Sequence, residues 1–265
     1  MSESSPDRWQ ALALQTGQGT APGLHILRER GTDVRIARVQ APSGVGTVIV
    51  KLWNRPHWRG ALRRLTRTNI GWQEYAALRR LEPQHIGTPH PLAYFHLHDA
   101  ATPYTEVLIS TDLGDCRDST EFFKNILRTG PESAVREFED HLISSTVGLL
   151  ASGLIDTDHR LPNFVVLKEG RPVRLDFELC RPTRCVACHP RQVGLMLAAL
   201  MGSYAFAVQP RVDRILSFAS RLQDAVRPSA TALRVASEKV AIDVARQERE
   251  VGIRLSLPPL WTLKP

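Results

Sequence analysis

Two short apolar runs, 164–167 (FVVL) and 172–175 (PVRL), are joined by Lys168-Glu169-Gly170-Arg171, a pattern that folds back on itself as a hairpin. A hairpin returns its second end to its first. Asn163, just before the first run, and Asp176, just after the second, therefore fall side by side, with Asp158 on the loop leading in. Any fold built on this segment gathers three oxygen-bearing side chains at one end of one hairpin. An Asp and an Asn amide oxygen are hard ligands suited to Mg2+, which prefers oxygen and keeps substrate phosphates in its shell. A second Asp can accept a proton from an attacking hydroxyl. Phosphoryl transfer needs this separation of metal ligands from base, because its transition state calls for charge neutralisation and alignment more than covalent help. The same residues also suit a polar loop that caps an ordinary hairpin, and that alternative stays open at this point.

The first half of the chain reads as strands. Residues 24–30, 34–41 and 47–53 are strand-like and are separated by Gly31-Thr32-Asp33 and PSGVG, which makes an antiparallel meander. Two further strands, 92–98 and 105–110, follow Thr88-Pro89-His90-Pro91. Between them, 59–81 has helical spacing broken around Asn69-Ile70-Gly71, which predicts two helices. Lys51 sits in the apolar run TVIVKLW and needs a counter-ion. Glu74 is the only acid between Lys51 and Arg80, so it is the natural partner. Beyond Asp115 the pattern turns helical, over 132–153 and 190–260. The expected fold is α+β and two-lobed: a flexible lead-in over 1–22 with a short helix at 9–15, an antiparallel β lobe with helices over 23–113, and an α-rich lobe over 114–265, with a cleft between the lobes.

Composition narrows the partners. The 265 residues carry 34 Lys and Arg against 27 Asp and Glu, a formal charge of +7, which favours anionic ligands. Nucleic acid is not expected, because no recognition motif or aromatic platform accompanies the charge. The opening MSESSPDRWQ is not a secretory signal, and the 16-residue apolar run 193–208 is too short for a bilayer span and reads as a buried helix. The expected location is cytoplasmic, with the four cysteines reduced.

In protein kinases a catalytic Asp precedes a metal-binding Asn by five positions, and a metal-binding Asp follows a short hairpin. Asp158 and Asn163 have that spacing, and Asp176 follows thirteen positions later. The order of Lys51, Glu74, Asp158, Asn163 and Asp176 is the order of the kinase elements. More particularly, KLWNRPHWRGALRRLTRTNIGWQEYAALRRLEPQHIGTPHPLAYF resembles the Kdo/WaaP lipopolysaccharide core kinases of the protein-kinase-like superfamily. The resemblance covers roughly residues 24–201 and implies ATP and Mg2+ as cofactors. It implies Lys51 and Glu74 as the ATP-positioning pair, Asp158 as base, and Asn163 and Asp176 as Mg2+ ligands. Adenine would meet the backbone around Ser110, Thr111, Asp112 and Leu113. The implied acceptor is a heptose or Kdo hydroxyl of an anionic saccharide or glycolipid, at the cytoplasmic face of the inner membrane.

Three features depart from kinases. Asp156-Thr157 replaces the usual His-Arg before the catalytic Asp, Glu178 stands where Asp-Phe-Gly has its Gly, and the hairpin at Gly31-Thr32-Asp33 is too short and glycine-poor for a phosphate-covering loop. A second reading is therefore a catalytically weak or inactive nucleotide-binding scaffold of the same fold. A third is a kinase for another small molecule or a protein. The basic residues Arg55, Arg59, Arg63, Arg64, Arg67, Arg79 and Arg80, with Trp53, Trp58 and Leu62, form a candidate amphipathic contact for anionic lipid or phosphorylated sugar or, as the alternative, a solvated helix face. Cys180, Cys185, Cys188 and His189 offer a crowded metal-ligand set or, as the alternative, packing and surface cysteines. His96 and His98 read as core or surface histidines, and Gly17, Gly19 and Gly23 as a weak nucleotide-binding cluster.

Overall fold

A computed structural model describes residues 6–42, 46–54, 69–84, 87–252 and 260–261. The chain divides into two compact units, 1–82 with 89–114, and 83–88 with 115–265.

The first unit is built on one antiparallel sheet. Its strands are β1 (His25–Arg30), β2 (Val34–Gln40), β3 (Thr47–Trp53), β4 (Pro91–His96) and β5 (Glu106–Thr111), in the order β1-β2-β3-β5-β4. Alternation along β3 sends Val48, Val50 and Leu52 to one face, where they join Ala37, Val39, Val107 and Ile109 in a core. That face is covered by α1 (Pro6–Gln18), which contributes Leu12 and Ala13. The expected short helix at 9–15 is thus longer, and the segment read as a flexible lead-in is packed. The stripe of Leu12, Ala13 and Thr16 gives it an apolar side to bury. Gly17, in the last turn of this helix, lies against the Thr102 side chain. β1 is exposed along its whole length and lies at the sheet edge, where its charged residues discourage further pairing.

The opposite face of the sheet carries Lys51 and Trp53, which pair in register with Leu108 and Glu106. α2 (Ile70–Leu81) lies on it. Trp53, which the sequence places both at the end of the third strand and beside the basic amphipathic stretch, is the last residue of β3 and fully buried, because Gly71 brings the start of α2 directly over its ring. The first of the two helices expected within 59–81, and with it most of the basic stretch, lies outside the described residues.

The second unit contains α3 (Ser119–Thr129), α4 (Glu132–Ala151), α5 (Pro190–Val208), α6 (Val212–Val226) and α7 (Ala230–Val251). α3 has no counterpart in the sequence reading. Its signal was there, since Asp118 caps it by accepting from the Glu121 amide at 2.9 Å. α5 is long and apolar enough to cross a membrane by length and composition, but most of it is buried within this unit. It packs closely on α7: a Cβ at Gly194 would stand 2.6 Å from the Ala232 carbonyl oxygen. Buried Glu139 of α4 accepts from Arg214 Nη1 at 2.9 Å and Arg221 Nη1 at 2.5 Å, both on α6, and from Tyr204 Oη of α5 at 2.5 Å. Burial and the Glu139 charge push the Tyr204 phenol far above its ordinary range, so it stays a donor. Among the described residues, five strands of two or three residues complete the unit. β6 (Arg117–Asp118), β8 (Phe164–Val166) and β9 (Pro172–Arg174) form one sheet in the order β6-β8-β9, and β7 (Leu154–Asp156) pairs with β10 (Cys180–Pro182).

Candidate active site

β8 and β9 pair as the expected hairpin, with Val165 opposite Val173. Its turn places Gly170 at φ +90°, a conformation that a side chain disfavours. Beyond the last strand pair, the Leu175 amide donates to the Asn163 carbonyl at 3.0 Å, so Asn163 and Asp176 leave the hairpin at the same end. Asn163 Nδ2 donates to Asp158 Oδ2 and to the Asp158 carbonyl, both at 2.8 Å. Asp158, Asn163 and Asp176 are each half-buried. The amide oxygen of Asn163 is the atom not used in these bonds, and Asp176 Oδ1 accepts from the Glu178 amide at 3.1 Å. One neutral and one anionic oxygen at a shared hairpin end fit a hard divalent cation. Arg160, which sequence reasoning passed over, lies with its Nε 2.9 Å from Asp158 Oδ1 and is half exposed.

Behind the loop lies a second finding that the sequence did not disclose. Asp156 and Arg174 form a fully buried ion pair. Asp156 Oδ1 accepts from the Asp158 amide at 2.9 Å, and Arg174 Nη2 donates to the Asp158 carbonyl at 3.1 Å. Both backbone groups of Asp158 are thus held by one pair, which spans from β7 to β9. The guanidinium lies 5.6 Å from the ring centres of both Phe164 and Phe177, which offsets part of the cost of burying it. Burial raises the Asp156 carboxyl, and Arg174 opposes that rise.

His159 is buried beside them, with Nε2 2.9 Å from Thr146 Oγ1. Burial, and then the Arg174 charge, hold its pKa well below the ordinary 6.5. The folded chain keeps this imidazole neutral where the unfolded chain protonates it, so stability is lost as pH falls below 6.5. The loss is about 1.4 kcal/mol per pH unit while the folded imidazole stays neutral. Between pH 6.5 and 5.5, where the slope is still building, the loss is about 1 kcal/mol, and the thermal midpoint is expected to drop by about 2–4 °C more for the wild type than for His159→Gln. Parallel midpoint curves for the two proteins would contradict this.

In the first unit, Lys51 Nζ lies 2.6 Å from Glu74 Oε1, and Glu74 is buried. Buried Glu106 fixes the start of the helix that carries Glu74: it accepts from the Trp72 amide at 3.2 Å and from Tyr94 Oη at 2.8 Å. Of the residues expected near adenine, Ser110 is buried on β5 and Thr111 accepts from the His90 amide at 2.8 Å. Asp112 is turned toward the sheet, with Arg38 Nε at 2.7 Å and Thr47 Oγ1 at 2.6 Å. Its side chain is a tether for the segment that leads to Leu113 and Gly114, and the contact expected there is one to backbone. The His96 ring meets Tyr94 edge-on, with Nε2 3.3 Å from Tyr94 Oη, and its centre lies 6.5 Å from that of His98.

The cysteine expectation changes. Cys185 and Cys188 are joined by a disulfide, because three-residue spacing across a tight turn brings their Cα atoms to 5.4 Å. Cys180 is buried on β10, so the crowded metal-ligand set does not assemble among the described residues.

No protein-family profile matches the chain, and no curated protein is similar to it in sequence. Among solved structures, WaaP in complex with acyl carrier protein superposes with a TM-score of 0.61 at 18% identity, over 87% of this chain and 92% of that one. The likeness is one of fold: the chain is α+β and shares the fold of WaaP.

Proposed function

We propose that this chain is an ATP- and Mg2+-dependent kinase that phosphorylates a sugar hydroxyl, a heptose or Kdo of lipopolysaccharide core. The observation that carries the reading is the hairpin end at which Asp158, Asn163 and Asp176 meet, in a chain with the fold of WaaP. Asn163 and Asp176 would hold the metal, and Mg2+, when bound, supplies neutralisation of the phosphate charge. Lys51, fixed by Glu74, provides an ammonium for the nucleotide phosphates. The Asp158 carboxylate orients the acceptor hydroxyl and takes its proton, displacing Arg160 from an exposed pair that costs little to break. The anionic acceptor matches the net charge of +7, and we place the reaction at the cytoplasmic face of the inner membrane.

A second reading, a nucleotide-binding scaffold with weak or no turnover, is favoured by Glu178 beside Asp176 and by the Arg160 cation on Asp158. The two readings separate on one experiment. Purified chain, Mg-ATP and dephosphorylated lipopolysaccharide core are expected to yield core heavier by one phosphate, and Asp176→Ala to yield none. Core of unchanged mass, with ATP still raising the thermal midpoint, would replace the kinase reading with the scaffold.

A further inference from the structure

The segment between Asp176 and α5 holds a feature that phosphoryl transfer leaves unused. β10 is pinned antiparallel on β7, and the chain continues through Thr183, whose amide donates to the Gly153 carbonyl at 2.7 Å. Thr183 Oγ1 then accepts from the Cys185 amide at 3.1 Å. A single turn over Val186–Cys188 follows, and α5 begins at Pro190. Cys185 and Cys188 are bonded to each other at the mouth of this turn, and both are exposed. The turn is thus anchored on each side and presents two sulfurs to solvent at bonding distance.

Its surroundings are cationic. Arg181, Arg184, His189 and Arg191 flank the pair and are exposed, and no acidic residue occurs between Glu178 and Asp213. Cys188 also lies two positions before a 19-residue helix, whose positive end favours a thiolate. Cations that stabilise a thiolate also attract anionic reactants.

We propose that Cys185 and Cys188 form a thiol–disulfide exchange site whose partners are anionic low-molecular-weight disulfides of the glutathione type. One cysteine thiolate attacks the incoming disulfide, forming a mixed disulfide and releasing one thiol. The other cysteine then attacks the mixed disulfide, closing Cys185–Cys188 and releasing a second thiol. Two protein thiols are oxidised, and two electrons and two protons pass to the small disulfide. The reverse sequence reopens the pair. This inference is independent of the kinase reading.

The test uses the full chain, reduced with dithiothreitol, desalted and exposed to glutathione disulfide before alkylation and trypsin digestion. Cleavage after Arg184 and Arg191 isolates both cysteines in one peptide, CVACHPR. The peptide is expected to take two alkyl groups before exposure and none after it, while Cys185→Ser stalls as a glutathione adduct on Cys188. Glutathione disulfide is expected to react at least about tenfold faster with wild type than with an Arg184→Gln/Arg191→Gln variant at low salt, a gap that closes near about 1 M salt. Cationic cystamine should show no such preference for the wild type. Two alkylatable thiols persisting in the peptide after glutathione disulfide would overturn the site. Equal rates for wild type and variant would overturn its selectivity for anions.

Discussion

Arg174→Met is expected to destabilise the second unit by about 3–5 kcal/mol, because it strands the buried Asp156 carboxylate and removes the donor to the Asp158 carbonyl. Adding Asp156→Asn should restore more than half of that loss, since the double variant buries no uncompensated charge. The pH dependence identifies the cause. Without Arg174 the folded-state pKa of Asp156, already raised by burial, rises further above its unfolded value. A raised carboxyl contributes stability that is present below the unfolded pKa and lost as pH rises through the folded one. The deficit of Arg174→Met should therefore be smallest near pH 4 and grow toward neutrality, in urea titrations at each pH. A deficit independent of pH would show that packing against Phe164 and Phe177, rather than the charge, is what Arg174 supplies.

Asp158→Asn is expected to lower turnover by about 10²–10⁴-fold, the contribution of a positioned general base, with ATP affinity changed by no more than about twofold. The Asn side chain keeps the shape that Asn163 packs against, and the backbone groups of residue 158 stay in the grip of Asp156 and Arg174. Calorimetric titration with a non-hydrolysable ATP analogue and single-turnover assays with saccharide acceptor separate the two quantities. Turnover that survives the substitution would remove Asp158 from the chemistry.

The hairpin was legible because its turn has few solutions: four residues, three charged and a glycine in third place, between apolar runs, fix both the register and the convergence of its ends. The Lys51–Glu74 ion pair was legible by elimination, one acid being available to an ammonium in an apolar strand. The α+β architecture followed from the change of hydrophobic period along the chain. Other features lacked a local signature. Asp156 and Arg174 are eighteen positions apart, and nothing in either neighbourhood marks them as partners until the hairpin is folded beside β7. Strands of two or three residues, such as β6, β7 and β10, are shorter than any period can register. Trp53 lies at the boundary between a strand and a basic stretch, and only the close approach of Gly71 decides which it joins.

The arrangement around Glu139 bears on how this polypeptide tolerates being shortened. Its carboxylate belongs to α4, but the guanidinium groups that neutralise it come from Arg214 and Arg221, more than seventy positions downstream. A C-terminal deletion reaching into α6 would leave an orphaned anion in the interior, so the smallest piece of the second unit able to stand alone must extend past Arg221.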